Sequence, residues 1–205
     1  ADLALESEAA TILALRLARL VDDRADPVAK GLVRIGTPAA KLWVCKRAIT
    51  MVAECMEVLG GNGYVEEGPM ARLYREAPVN SIWEGSGNVM ALDVLRAMQR
   101  EPDALSVLIT EFESVRGNYA AYDLALDRWC RLVKNPDEAQ QYARQIAAGL
   151  ARLWQAALLI AHAPAPVADA FVASRLAASN GIAGELPIGD SARLILARAW
   201  PEITS

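Results

Sequence analysis

The 205-residue sequence predicts an all-α helical bundle. Hydrophobic residues make up 54% of the chain and charged ones 22%, so a large core can be buried. Aromatics are 6%, with 2 Phe, so the apolar content is mostly Ala, Leu, Ile and Val, which suits packed helices better than a sandwich. Apolar positions recur at steps of three and four, and no stretch alternates strongly enough to build a sheet.

Leu3, Ala10, Leu13, Leu17 and Leu20 form the apolar stripe of a first helix, with Glu6, Arg16 and Asp23 off that stripe. Asp26-Pro27 reads as its end, and a basic, irregular stretch with Lys30, Gly31, Arg34 and Gly36 follows. Thr37-Pro38 supplies an N-cap and an N1 proline for the clearest helix, whose stripe of Leu42, Cys45, Ile49, Val52, Met56 and Leu59 stops at Gly60-Gly61. Residues 60–69 are a loop by composition, followed by a short helix through Ala71 to Arg75 that Pro78 interrupts. Gly85-Ser86-Gly87 makes a second glycine loop, with Ser86 placed to cap a helix carrying Val89, Leu92, Leu95 and Met98. Glu101-Pro102 ends that unit. Ala-rich helices follow near 103–115, 119–133, 137–162, 167–179 and 190–199, with breaks at Asn135-Pro136 and Pro164-Ala165-Pro166. The shift in composition predicts two units, residues 1–100 and 101–205.

Several function classes lose support at this level. The 21 basic and 25 acidic side chains leave a net charge of −4, with no basic arm to attract phosphate backbones or anionic membranes. No apolar run approaches the roughly 20 residues of a membrane span. Cys45, Cys55 and Cys130 have no CxxC spacing, which fits small core residues in a reducing cytoplasm rather than a disulfide framework. The one histidine, His162, has Leu159 three positions earlier, so the Glu-x-x-His pattern of di-iron bundles is absent and no metal is expected. Gly61-Asn62-Gly63 follows a helix and has Glu66 where a third glycine is required, so it reads as a helix C-cap entering a tight turn rather than a dinucleotide fingerprint. Gly85-Ser86-Gly87 opens a helix, where free backbone N–H groups can hold an anion. Most of the five tryptophans read as core, but Trp83 adjoins Glu84, where an aromatic wall would desolvate the carboxylate and favour a general base.

Glu57-Val58-Leu59-Gly60-Gly61-Asn62-Gly63-Tyr64, Arg75-Glu76-Ala77 and Ile82-Trp83-Glu84-Gly85-Ser86, in that order, resemble the C-terminal helical domain of acyl-CoA dehydrogenases. The run from Arg75 to Val89 especially resembles the adaptive-response (alkylation-response) branch, and residues 101–205 look like the extra helical segment of that branch. The resemblance implies a fragment lacking the N-terminal helical and middle β domains, inactive alone. It also implies FAD-dependent α,β-dehydrogenation of an acyl-CoA thioester in the whole protein, as part of fatty acid metabolism.

Within that resemblance Glu84 matches the base that takes the α-proton, and Gly85 the residue lining the thioester. Ser86 and Asn88 match FAD-contacting positions, while Gly60 and Gly61 match the turn touching the FAD of a neighbouring subunit. Glu57 stands where the family commonly has Gln against the adenosine part of FAD, and a carboxylate there repels the pyrophosphate. Arg75 matches a family arginine but reads equally as an ion pair bracing the loop. Apolar faces on 1–21 and 38–59 would need covering, so self-association, dimeric or tetrameric, is expected. An electron-accepting flavoprotein is among the partners the resemblance admits. Two other readings stay open: a flavoprotein that binds and protects DNA, using Arg128, Arg131, Lys134, Arg144 and Arg152, or a structural oligomerisation module. A net of −3 over residues 101–205, from 9 basic and 12 acidic groups, counts against DNA.

Overall fold

A computed structural model of the chain describes residues 1–23, 25–135, 139–177, 183–184, 186 and 189–201. Its elements are α1 (Asp2–Asp22), α2 (Pro27–Val58), the single turn α3 (Gly61–Tyr64), α4 (Met70–Asn80), α5 (Gly87–Arg100), α6 (Pro102–Glu113), α7 (Ala120–Lys134), α8 (Ala143–His162), α9 (Ala165–Val172) running into a π-helical turn (Ala173–Ala177), and α10 (Asp190–Ala199). The protein is all-α, as the sequence predicts, with no strand among the described residues. Parts of two expected helices, 137–138 and 178–179, and Pro136 of an expected break lie outside the described residues.

Helix α8 is the axis of the core. Its buried residues include Ile146, Leu150, Leu153, Trp154 and Leu159, so it is apolar nearly all round and packs against α1, α2, α5, α6, α7 and α9. Phe112 of α6 stands edge-on to Trp129 and Trp154, at ring-centroid distances of 5.9 and 6.4 Å. The Trp154 indole donates to Glu111 Oε1 at 2.9 Å, and the Tyr122 hydroxyl donates to the Phe112 carbonyl at 2.9 Å. Burial drives the Tyr122 pKa upward, so that hydroxyl stays a donor.

The largest departure from the sequence reading is α2. Asp26-Pro27 begins a helix instead of closing one: the Asp26 carboxylate accepts from the Val28 amide at 2.9 Å, and Pro27 opens the first turn. The helix then runs 32 residues through Gly31, Gly36 and Pro38. Both glycines are close-packing positions rather than turn signals. A Cβ at Gly31 would lie 2.6 Å from that of Ala104, and one at Gly36 would lie 2.5 Å from Trp154 Cζ3. Burial of that crowded face outweighs the backbone hydrogen bond that Pro38 cannot donate. Thr37 is accordingly inside a helix and caps nothing. Pro78 likewise lies inside α4, which reaches Asn80.

Two stripes are also rotated. In α1 the core face is Leu5, Ala9, Leu13 and Leu20, and it includes Glu6, only 4% exposed. Glu6 can enter because Arg47 donates to it through Nε at 3.2 Å and Nη2 at 3.1 Å, and Arg175 through Nε at 2.9 Å. Arg175 also donates to buried Asp2. Burial works to lower the Arg175 pKa, but its bond to Asp2 and the charges of Glu6 and Asp2 outweigh this and raise it. In α5 the buried set is Ala91, Val94, Ala97 and Met98, whereas Val89 is 51% exposed. The later helices therefore cover the face of α1 that was expected to need a partner. Exposed apolar residues include Val58 and Leu59 at the end of the expected 38–59 face, with Tyr64, Leu73, Ile82 and Trp83. The three cysteines are free and half-buried instead of core residues. Of the tryptophans, Trp129 and Trp154 are buried, while Trp200 joins Trp83 at the surface.

Candidate functional site

The link between α4 and α5 carries Trp83, Glu84, Gly85 and Ser86. Helix α4 ends at Ser81, whose hydroxyl donates to the Pro78 carbonyl at 2.9 Å, and the Trp83 amide closes onto the Val79 carbonyl at 3.1 Å. Glu84 follows with φ +56°, alone among the described non-glycine residues in having positive φ, and Gly85 has φ +127°. A left-handed backbone at a residue with a Cβ is costly and persists where surrounding structure imposes it. Here the imposing groups come from α2 and α5. Lys41 Nζ donates to the Gly85 carbonyl, Lys46 Nζ to the Ser81 hydroxyl at 3.4 Å, and the Met90 amide to the Ser86 carbonyl at 2.9 Å. A Cβ on Gly85 would meet Met90 Cε at 2.2 Å, a flexible methyl that can shift, so it is the φ of +127° that favours glycine there.

Glu84 is thrown outward by this turn and is exposed, and Trp83 beside it is 60% exposed. The aromatic wall expected around the carboxylate is therefore not closed within this chain. Ser86 takes the N-cap position of α5 with extended backbone, but its hydroxyl makes no capping bond. Asn88 is exposed, and its Oδ1 accepts from Arg144 Nη1 of α8 at 2.9 Å. The donor set at this end of α5, a free serine hydroxyl, an amide side chain and first-turn N–H groups, fits a phosphate-bearing cofactor.

The structure brings Glu84, Gly85, Ser86 and Asn88 together and places Glu57, Gly60 and Gly61 elsewhere. Lys41 touches the loop, whereas α2 continues for about 26 Å beyond Lys41 before it ends at Val58. At that far end Gly60 has φ +57°, and a Cβ on either Gly60 or Gly61 would meet nothing within 4 Å, so the turn presents open backbone. Gly63 is tighter, because a Cβ there would lie 2.2 Å from the Met56 carbonyl oxygen. Glu57 is exposed on the last turn of α2. Arg75 pairs with Glu66, with Nη2 to Oε2 at 2.9 Å, an exposed bridge that ties α4 to the segment after α3.

Lys41, Lys46 and Arg144 were not legible as residues of the α4–α5 loop site. They lie 44, 35 and 56 residues from their partners, and no local spacing connects them. Of the basic residues considered for DNA, Arg128, Arg144 and Arg152 line one open groove of about 770 Å³ between α7 and α8. His162 is exposed at the end of α8, beside Arg16, Arg19 and Glu111.

Residues 1–99 match the family described as "Acyl-CoA dehydrogenase, C-terminal domain". The putative acyl-CoA dehydrogenase AidB of Escherichia coli is 43% identical over 180 residues, which covers 88% of this chain and 33% of AidB. Acyl-CoA dehydrogenase family member 11 of Caenorhabditis elegans is 37% identical over 175 residues, 76% of this chain and 28% of that protein. The crystal structure of C. elegans ACDH-11 in complex with C11-CoA superposes with a TM-score of 0.73 at 27% identity, over 98% of this chain and 39% of that one. The chain thus spans about a third of the length of the curated relatives it matches.

Proposed function

Through residues 1–99 the chain belongs to the acyl-CoA dehydrogenase family, and on that premise we propose that it supplies the proton-abstracting base, Glu84, of an FAD-dependent acyl-CoA dehydrogenase. The observation that carries the reading is the strained backbone at Glu84. Strain of this kind, next to the Lys41 bond on the Gly85 carbonyl, falls at an exposed residue and does not bury the Glu84 side chain.

Glu84 takes the α-proton of the acyl thioester: the C–H bond breaks, the proton moves to a carboxylate oxygen, and the electron pair stays on the substrate. The thioester α-proton is weakly acidic, so the thioester oxygen must receive hydrogen bonds as charge develops, and the Glu84 backbone N–H is one donor for that task. Gly85, matched to the residue lining the thioester, offers backbone without a side chain, and Met90 Cε fills the space a Cβ would take. When bound, FAD supplies the acceptor for the β-hydrogen, which leaves as hydride. Ser86, Asn88 and the first turn of α5 would hold it. A water-poor pocket around Glu84 requires a covering surface, and the exposed Ile82 and Trp83 are the apolar groups placed to meet one.

The Gly60-Gly61 turn is too far along α2 to serve the same cofactor, so it reads as a contact to the FAD of a neighbouring subunit in a dimer or tetramer. Glu57 on the same turn places a negative charge there and is read as a poor cofactor contact. The family match ends at residue 99 whereas AidB matches 88% of the chain, which supports residues 1–100 as the catalytic helical unit and 101–205 as a branch-specific extension. The test is Glu84→Gln in the complete protein, followed by anaerobic flavin reduction with acyl-CoA substrates. Reduction is expected to slow by about 10²–10⁴-fold, the range of a lost general base. Reduction at the wild-type rate refutes the assignment.

A further inference from the structure

We propose that Arg144, on α8, is a positioning residue for the flavin site, fixing Asn88 and the first turn of α5 in the orientation that receives the cofactor. The inference rests on the reading of Ser86 and Asn88 given above. Arg144 Nη1 donates to Asn88 Oδ1 at 2.9 Å. A guanidinium has no acceptor, so this bond commits the amide: Oδ1 faces Arg144 and the Nδ2 hydrogens are left to donate outward. The guanidinium also lies against the α5 backbone, since a Cβ at Gly87 would be 3.1 Å from Arg144 Nη1. Glycine at 87 lets the guanidinium sit a few tenths of an ångström closer than a Cβ would allow.

The arrangement sets a cation at the positive end of α5, which costs stability by itself. Among the described residues Arg144 has no carboxylate partner to offset that cost. A contact that works against stability yet is built from a glycine, an amide and a rigid mount points to a functional role. The mount is rigid because Ala143, Ile146 and Ala147, around Arg144 on α8, are all buried. The helices beyond residue 100 therefore enter the cofactor site through one side chain, and flavin affinity depends on their docking.

The test uses the complete protein, with R144A, R144K and N88A prepared as apoproteins and titrated with FAD. Flavin absorption and fluorescence are read alongside Kd. R144A is expected to weaken FAD by about tenfold or more, to shift the flavin spectrum and to leave the melting temperature near wild type, because the Arg144 side chain is exposed. R144K, which keeps a donor for Oδ1, is expected to recover part of the affinity. R144A added to N88A should cause no further loss, since the two act as one unit. Wild-type affinity and spectrum in R144A, or multiplying losses in the double variant, overturn the inference while the proposed function stands. A wild-type protein that binds no FAD overturns both.

Discussion

Replacing Glu84 by Gly and, in parallel, by Ala separates backbone strain from carboxylate chemistry. Both variants remove the carboxylate, and the exposed side chain contributes little packing. Ala keeps the Cβ and with it the left-handed penalty at φ +56°, about 1–2 kcal/mol. Gly removes that penalty but adds about 0.4–1 kcal/mol of chain entropy to the unfolded state. E84G is therefore expected to be more stable than E84A by about 0.5–1 kcal/mol, or roughly 1–4 °C in Tm for a chain of this size. At an ordinary backbone position the order reverses, with Gly below Ala by about 0.5–1 kcal/mol, so the sign alone decides. Thermal unfolding by circular dichroism at 222 nm, at matched concentrations, measures the difference. E84A melting above E84G refutes the reasoning, because the loop would then not be left-handed at residue 84. E84G gains stability and loses the base at once, as expected where a strained site serves chemistry.

Two further outcomes follow from the ion pairs. Arg175→Ala removes the sole cation on Asp2 among the described contacts and one of two on Glu6, and is expected to cost about 3–5 kcal/mol, a fall of roughly 6–20 °C in Tm; D2N with R175M should recover much of it, and a cost below about 1 kcal/mol for R175A sinks the account. Arg34 donates to both Asp93 oxygens at 2.7 Å, and that bond holds the Asp93 carboxyl below its ordinary value against the opposing effect of burial. The depressed folded value means this stabilisation is complete above the ordinary carboxylate range near about 4 and is lost as pH falls through the folded value. Urea midpoints should thus drop less between about pH 5 and pH 2 in D93N than in wild type, and parallel curves refute the linkage.

What the sequence made legible was local. Leu, Ala and Val at helical spacing and glycines at the two turns are read within a few residues, and they locate the α4–α5 loop and Ser86 at the head of α5, whereas Pro27 and Pro38 mislead without their tertiary setting. What stayed hidden depended on distant partners. Gly31 and Gly36 look like breakers until Ala104 and Trp154 are placed against them. Glu6 looks solvated until Arg47 and Arg175 arrive, and Val89 looks buried because it keeps step with Leu92 while α2 and α8 pack against α5 and bury Ala91 and Val94 instead. The strain at Glu84 is invisible in sequence for the same reason, since Lys41 and Met90 impose it from other elements.

The charge cluster at α1 also sets a clock. Asp2 and Glu6 meet Arg175 across 173 and 169 residues of chain. At about 5–20 residues per second of synthesis, Arg47 reaches Glu6 within roughly 2–8 s, whereas Asp2 waits roughly 10–35 s for Arg175. During that interval its inner face is apolar and carries Asp2 without Arg175. The first helix is thus committed to its place by a residue that does not yet exist when the helix emerges from the ribosome.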